Sequence, residues 1–498
     1  MSPASGTKSP RPIDEVLIEH GLFETRVALI ADGRVVELLL DRADRPGRLG
    51  NIYLGRVTRV VPGMQAAFVD IGAGQAGFLG VREAQALVGT TRAAGKEMSA
   101  PIEACVQEGQ AVLVQAIKEP IGDKGMRLSA NPTLPGRYLA FAPRGTGSRV
   151  SRHIADEGER ARLAALLAGI AGEGEGGAFV ARTKAAGVDA DGLAAEATAL
   201  RAAWRALEAR RKSARVPACL YEEPDAAVRA LRDHAGDEIR RVRVDAADGL
   251  ARLRAYCARF APALGDRLEL HGAEAPLFDL YGVEDDIEAA LEPRVPLPSG
   301  GFLTIEGTEA LTAVDVDSGR FVDPGGAAET GLRTNLEAAE ATARQLRLRG
   351  IGGIVVIDFI HAAGAGHARR LLDALEAALA DDPAPTRVIG MSELGLVEMT
   401  RKRTGEPLAN LMSEACPGCR GAGRVPTVAA TAARIERRAA REARAARGGR
   451  LIVEAAPEVA AWLAEKGRRG ALECRLGRTL AVIGVEGRGR EAFEVRPG

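Results

Sequence analysis

Thr312-Ala313-Val314-Asp315-Val316-Asp317-Ser318-Gly319 and Ile354-Val355-Val356-Ile357-Asp358-Phe359-Ile360 decide how this chain reads. Both are short runs rich in β-branched residues, the composition of strands. Side chains alternate faces along a strand, so Val314 and Val316 point one way and Asp315 and Asp317 the other. The second run is apolar on both faces except at Asp358, the pattern of a central strand. Both strands are therefore expected to be buried, with carboxylates where apolar side chains belong. A buried charge is costly unless it is paired, hydrogen-bonded or bound to a metal. Three carboxylates gathered by the fold repel one another, and a divalent cation removes that conflict. Oxygen ligands from two strands, with room for water, describe a Mg²⁺ site, which can serve hydrolysis of a phosphodiester.

The segment between the two strands supports their pairing. A helix predicted over 332–349 carries Asn335, Glu337 and Glu340 near its start and Gln345, Arg347 and Arg349 near its end. As a right-handed crossover it sets Asp358 beside Asp315. With strands at 302–306 and 386–391 and a helix at 365–380, residues 286–405 read as an α/β layer. A nucleotide-hydrolase reading of Asp358 needs a GxxxxGK[ST] loop, and the sequence has none. Gly350-Ile351-Gly352-Gly353 precedes its strand, so it is not a dinucleotide turn. A salt-bridge role for the aspartates is the plain structural alternative.

Outward from this unit, residues 13–48 read as two strands around the turn Asp32-Gly33. Short apolar strands punctuated by glycine over 49–80, resuming at 111–117 and 126–129, suggest a small β-barrel. Residues 84–104 read as an inserted loop or helix. Residues 131–215 mix helices at 157–167 and 193–212 with a strand at 178–181. Residues 217–285 mix helices with a strand at 239–244. A Gly/Pro-rich hinge holds Cys416-Pro417-Gly418-Cys419, followed by an Arg-rich helix over 434–447 and a small α/β tail from Leu451.

Composition narrows the class. In 498 residues, Lys+Arg and Asp+Glu are equal at 67 each, so any nucleic-acid contact must come from local patches. No run is long and apolar enough to predict a membrane-spanning helix. The polar, Ser/Pro-rich stretch 1–12 lacks a signal-like apolar core and reads as a flexible cytoplasmic leader. Six cysteines are too few for a disulfide scaffold. Cys105, Cys219, Cys257 and Cys474 are isolated. Cys416 and Cys419 form a CxxC pair with a Pro-Gly turn, half of a four-ligand structural zinc site. With no second CxxC, two ligands per chain imply a Zn²⁺ shared by two chains. A redox CxxC is the competing reading, but such motifs open a helix after a strand, and these flanks are Gly-rich loop. The Arg-rich helix is either an RNA patch or a solvated face.

Several long motifs in order resemble the catalytic core of the ribonuclease E/G family. They are 312–319, Thr334-Asn335-Leu336-Glu337-Ala338-Ala339, Arg344-Gln345-Leu346-Arg347-Leu348-Arg349, 353–360, Gly395-Leu396-Val397-Glu398-Met399-Thr400-Arg401-Lys402-Arg403 and the CxxC. The resemblance runs from about residue 13 to near the end of the chain, and is closest to the short form of the family without a disordered C-terminal scaffold. It implies an α/β and α+β multidomain fold. Its parts are an RNase H-like subdomain (13–48 and 217–285), an S1 or OB-fold barrel (49–130), a 5′-sensor region (131–216), a DNase I-like catalytic subdomain (286–405), a zinc-link (406–424) and a small C-terminal domain (425–498).

The resemblance also implies a Mg²⁺-dependent endoribonuclease acting on single-stranded RNA, favouring 5′-monophosphorylated substrates and leaving 5′-phosphate and 3′-hydroxyl ends. Roles in rRNA maturation and mRNA decay and a cytoplasmic location belong to the same expectation. By motif match Asp315 and Asp358 are magnesium ligands, and Asp317 is a catalytic position where the family usually has Asn. His361 replaces a common Asp. Phe68, Phe78 and Lys124 match RNA contacts, although the pattern around Phe68 alone fits a core residue equally well. Arg182 and Thr183 match a 5′-phosphate sensor, with Ala140 supplying a backbone contact and Lys184 replacing the usual Ala. Cys416 and Cys419 match a zinc ligand pair joining a homodimer, with a dimer of dimers as a further step. The alternatives are a non-catalytic S1-type RNA-binding adaptor and a metal-dependent nuclease acting on DNA.

Overall fold

The computed structural model describes residues 13–44, 47–88, 100–118, 125–171, 176–234, 236, 238–361, 365–419, 421–445 and 449–498. The 1–12 leader and Lys124 lie outside the described residues. The chain divides into two compact units, Met1–Leu411 and Met412–Gly498.

Among the described residues, the first unit holds four sheets. One has the spatial order Leu268–Leu270, Arg241–Val244, Glu15–His20, Glu24–Ala31, Arg34–Arg42. Its first three strands are parallel, and Glu24–Ala31 runs antiparallel to both neighbours. Asp32 and Gly33, at φ 51° and 70°, make the expected tight hairpin turn. Val16, Ile18, Val27, Leu29, Val242 and Val244 pack against Leu231 of helix Ala226–Asp233 and Leu253 of helix Ala247–Phe260.

The glycine-punctuated segment closes into a five-stranded barrel. Its order is Ile52–Val61, Ala66–Asp70, Gly77–Gly80, Arg127–Ser129, Ala111–Lys118 and back to Ile52–Val61. This circuit is consistent with an OB or S1 fold. Two glycines let the strands approach: a Cβ on Gly55 or Gly77 would meet Val69 or Leu128 at 2.5 Å. Strand Ala218–Tyr221 also pairs with Ile52–Val61 rather than with the 13–48 strands. A four-stranded sheet (Arg149–Val150, Ala178–Ala181, Leu139–Ala142, Leu134–Pro135) packs with helices Glu157–Ala171 and Ala190–Ser213 around Phe141, Leu163, Phe179 and Leu200.

The carboxylate-bearing sheet has six strands: Arg294–Pro296, Phe302–Gly307, Leu311–Asp317, Gly353–Asp358, Leu396–Arg401, Thr386–Met391. Helices Ala327–Leu348 and Ala365–Leu379 share one core with a single face of this sheet. Ala338, Leu346, Leu371 and Leu375 pack there on Val314, Val316, Val355 and Ile357. The other face is open, and this corrects the expectation of strands buried on both faces. Ile354, read as buried, is 50% exposed. Strand Leu396–Arg401, which the sequence reading treated only as a motif, inserts between Gly353–Asp358 and the edge strand Thr386–Met391.

The second unit is a three-stranded sheet, Leu480–Gly484, Leu451–Ala455, Phe493–Pro497, with three helices. The Arg-rich helix spans Val428–Ala445 and buries Thr431, Ala432, Ile435 and Ala439 on one stripe. Its arginines lie off that stripe: Arg438 pairs with Glu442 at 2.8 Å, and Arg434 sits 5.4 Å over the Phe493 ring. Among the described residues, no helix is long and apolar enough to cross a membrane.

Candidate catalytic and RNA-contact site

Asp315 and Asp358 meet because their strands pair in parallel with the two residues opposite each other in register. The same row continues to Thr304 on one side and Leu396 on the other. Both carboxylates stand on the open face and are exposed. Among the described residues no hydrogen bond or ion pair engages either of them. Two neighbouring like charges left without partners on a sheet surface suit a hard cation, whose oxygen ligands come with water filling the remaining positions. Exposed carboxylates carry no burial penalty, so the proximity of the two like charges is what favours a cation here.

Asp317 does not complete a three-carboxylate cluster. It stands two residues further along the strand, about 7 Å away at the strand rise, opposite Phe302. Its Oδ1 accepts the Gly319 N–H at 2.7 Å, so the carboxylate closes its own turn. The described residues contain no group of three acidic, His or Cys side chains placed to hold a metal ion. His361 is exposed just beyond the Asp358 strand.

A residue whose role the sequence did not reveal fixes this strand's exit. Asn335, 1% exposed on helix Ala327–Leu348, donates from Nδ2 to the Ile360 carbonyl at 2.7 Å. Its Oδ1 accepts the Ile360 N–H at 2.9 Å. Both halves of the amide are used on one residue, two positions after Asp358. The motif was visible in the sequence, but nothing in its spacing names the partner.

On the barrel, Phe68 and Phe78 are directly opposite each other, with ring centroids 6.1 Å apart and an interplanar angle of 80°. Neighbours of opposite parity, Ala67, Val69 and Leu79, are fully buried in the barrel core. Both Phe rings therefore lie on the outer face and are half-buried. The cross-strand row extends from exposed Arg59 through Phe68 and Phe78 to Arg127, with Lys118 beyond. Arg127 is held by Glu83 at 2.7 Å. A pair of aromatic faces flanked by cations is the chemistry of a single-strand track. Arg59, Arg127 and Lys118 were not singled out from sequence, because cross-strand neighbours are set by register and not by spacing along the chain.

Arg182 follows strand Ala178–Ala181 and donates from Nη1 to Asp233 Oδ1 at 2.7 Å and to the Gly136 carbonyl. Thr183 is exposed, its hydroxyl 3.2 Å from that of Ser151. Ala140 pairs with Val180 on the adjacent strand. The turn entering that strand is pinned by Glu196, which accepts N–H groups of Arg137, Tyr138 and Leu139 at 2.6, 2.9 and 2.7 Å. Burial raises the Glu196 carboxyl above its usual range, against the pull of those three donors. Burial also works against ionised Asp233, but Arg232 and Arg182 outweigh it and hold its carboxyl at about 2. Lys184 is brought down to about 7 by burial and by Arg137 and Arg182.

In the second unit Cys416 is exposed and Cys419 half-exposed, both as free thiols. Backbone N–H groups of Cys419 and Gly418 point at the Cys416 sulfur and lower its thiol below the usual value. That turn favours thiolate, the form a zinc ligand requires.

Residues 133–404, more than half of the chain, match the model of the Ribonuclease E/G family. The chain belongs to the ribonuclease E/G family. It is 43% identical over 450 residues to Ribonuclease G of Escherichia coli strain K12, covering 90% of this chain and 91% of that protein. It is 39% identical over 489 residues to Ribonuclease G of Haemophilus influenzae, covering 97% and 99%. Ribonuclease E of the Nostoc strain PCC 7120 is 39% identical over 419 residues, covering 81% of this chain but 59% of the longer relative. The family match spans the four-stranded sheet that holds Ala178–Ala181 and the carboxylate sheet together.

Proposed function

We propose that this member of the ribonuclease E/G family is a Mg²⁺-dependent endoribonuclease that hydrolyses single-stranded RNA and favours 5′-monophosphorylated ends. Its class, a hydrolase acting on RNA, follows from family membership and from relatives named Ribonuclease G over nine-tenths of the chain. The observation that carries the site is the in-register pair Asp315 and Asp358, exposed on an open sheet face. These two carboxylates would hold Mg²⁺. A bound Mg²⁺ supplies charge neutralisation at the scissile phosphate and a more acidic water.

The chain's own groups do the rest. Asp315 and Asp358 orient the site from two adjacent strands, and Asn335 fixes the backbone just after Asp358. Asp317 closes its turn through one oxygen, a role the family's usual Asn fills equally through its own Oδ1. The Phe68–Phe78 face stacks bases while Arg59 and Lys118 meet backbone phosphates. Arg182 and Thr183 offer a guanidinium and a hydroxyl to a terminal phosphate. Water oxygen attacks phosphorus, the bond from phosphorus to the 3′-oxygen breaks, and that oxygen takes a proton, leaving 5′-phosphate and 3′-hydroxyl ends.

Three further assignments belong to this reading. The strand order of the 13–48 sheet and the one-sided six-stranded layer support RNase H-like and DNase I-like subdomains. Cys416 and Cys419, with two thiols of a second copy, would hold a structural Zn²⁺ that ties two chains into a homodimer. Lys124 is the basic RNA contact expected between strands Ala111–Lys118 and Arg127–Ser129. The test compares cleavage of one single-stranded oligonucleotide carrying 5′-hydroxyl, monophosphate or triphosphate, with product ends identified. Preference for monophosphate and 5′-phosphate products supports the reading. Binding without any cleavage in Mg²⁺ supports the adaptor instead, and equal cutting of a matched DNA opposes RNA selectivity.

A further inference from the structure

Arg182 and the helix Ala327–Leu348 are joined by a cluster of partly buried charged side chains that the reaction itself does not use. Arg182 is 2.7 Å from Asp233, which also binds Arg232 at 2.7 Å. Arg232 in turn holds Glu223 at 2.6 Å. Asp233 ends helix Ala226–Asp233, and His234 is its C-cap. His234 Nδ1 stands 3.6 Å from Glu37 Oε2, a contact rather than a hydrogen bond. The same Glu37 oxygen accepts from Arg347 Nε at 2.8 Å. Side chains of His234, Glu37 and Arg347 are 12%, 15% and 11% exposed. Arg347 lies on helix Ala327–Leu348, whose Asn335 clamps Ile360 beside Asp358. Arg344, one turn before Arg347, docks the helix on the same strand through the Val35 carbonyl at 3.0 Å.

We propose that Glu37, His234 and Arg347 form a positioning link through which phosphate occupancy at Arg182 sets the placement of the helix that fixes the Asp358 strand. This rests on the reading of Arg182 as the 5′-phosphate sensor. A terminal phosphate brings up to about two negative charges and competes with Asp233 for the Arg182 guanidinium. Asp233 then bears more strongly on Arg232 and on the adjoining His234. His234 faces Glu37, Asp233, Lys184 and Arg347, and burial holds its imidazole below the usual value. Any shift of His234 changes how Glu37 is shared with Arg347, which together with Arg344 ties the helix Ala327–Leu348 to strand Arg34–Arg42. Coupling of this kind is a free energy between two sites and is measured as such.

The test uses the full-length protein and the 5′-monophosphate and 5′-hydroxyl forms of one oligonucleotide, with kcat and KM separated. Glu37→Gln and Arg347→Lys each reduce the monophosphate-over-hydroxyl ratio of kcat/KM by about 5-fold or more, chiefly in kcat, while thermal melting confirms folding. Combining Arg347→Lys with Arg182→Ala lowers the ratio no further than Arg182→Ala alone, because both act on one coupling. If Arg182→Ala erases the preference while Glu37→Gln and Arg347→Lys keep it, the link is wrong and the sensor reading stands. Equal losses on both substrates make the cluster merely structural and overturn the proposal. Wild type without any preference, or Arg182→Ala that keeps it, removes the sensor reading and the link with it.

Discussion

Asn335→Asp isolates the clamp behind Asp358 without changing side-chain volume. The native amide donates to the Ile360 carbonyl at 2.7 Å and accepts its N–H at 2.9 Å. A carboxylate keeps the second bond, loses the first and places a charged oxygen against a carbonyl oxygen at a site 1% exposed. An uncompensated buried charge costs about 3–5 kcal/mol. The new carboxyl responds by holding its proton, so its folded pKa rises above the unfolded value of about 3.9. The folded state then binds more protons than the unfolded state above about pH 4, and stability falls as pH rises through that window. Below it both states are protonated, and the neutral acid donates to Ile360 as the amide did. The assay is hydrogen exchange of peptides covering residues 353–361, read as the variant-to-wild-type rate ratio, because a multidomain chain has no single unfolding energy. At about 1.4 kcal/mol per tenfold, 3 kcal/mol corresponds to exchange about 100-fold faster near pH 7.5, with the ratio shrinking toward pH 5. A ratio under about threefold at pH 7.5, or one constant with pH, refutes the clamp.

Four further outcomes follow from the same structure. Asp382 grips Arg401 at 2.6 and 3.0 Å with both side chains almost fully buried; Asp382→Ala destabilises the six-stranded layer by about 3–5 kcal/mol, measurable by exchange of strand Leu396–Arg401. Lys184, at about 7 when folded against an ordinary 10.5, makes the unfolded state the better proton binder between those values, so native stability rises with pH there; Lys184→Met is more stable than wild type at pH 6, and melting curves show the gap closing by pH 10. Phe68→Ala and Phe78→Ala each weaken single-stranded RNA binding by about 1–3 kcal/mol, and Arg59→Gln lowers the salt slope of that binding by about 0.7. Cys416→Ser with Cys419→Ser removes bound zinc by metal analysis and shifts the mass in solution toward monomer, whereas an unchanged oligomer counts against a zinc link.

Much of the site was legible because it depends on local periodicity. The alternation of Val314, Asp315, Val316 and Asp317, plus the handedness of a crossover, brings Asp315 beside Asp358. Burial was misjudged for a physical reason: a short apolar run does not say whether one face or two are covered. Here both helices pack on one side, so Ile354 and the aspartates face out. Asp317 looked like an equal partner because parity puts it on the same face, yet its bond to the Gly319 N–H is a matter of turn geometry. Phe68 read equally well as core because an Ala-Ala-Phe-Val strand does not say which parity faces in; Ala67 and Val69 fill the barrel and leave the ring outside. The Asn335 clamp reaches 25 positions along the chain and the Glu37–Arg347 bond 310, and no pattern within one segment encodes such distances.

In the proposed site Asp315 and Asp358 together hold the divalent cation on which cleavage depends. The direct measurement is the cleavage rate of a 5′-monophosphorylated single-stranded RNA as a function of Mg²⁺ concentration, for wild type, Asp315→Asn and Asp358→Asn. A shared cation site gives saturable dependence in wild type and, in each variant, a rate at least about 100-fold lower with a higher Mg²⁺ requirement, while RNA affinity is retained. Wild-type rates and an unshifted Mg²⁺ dependence in both variants contradict it.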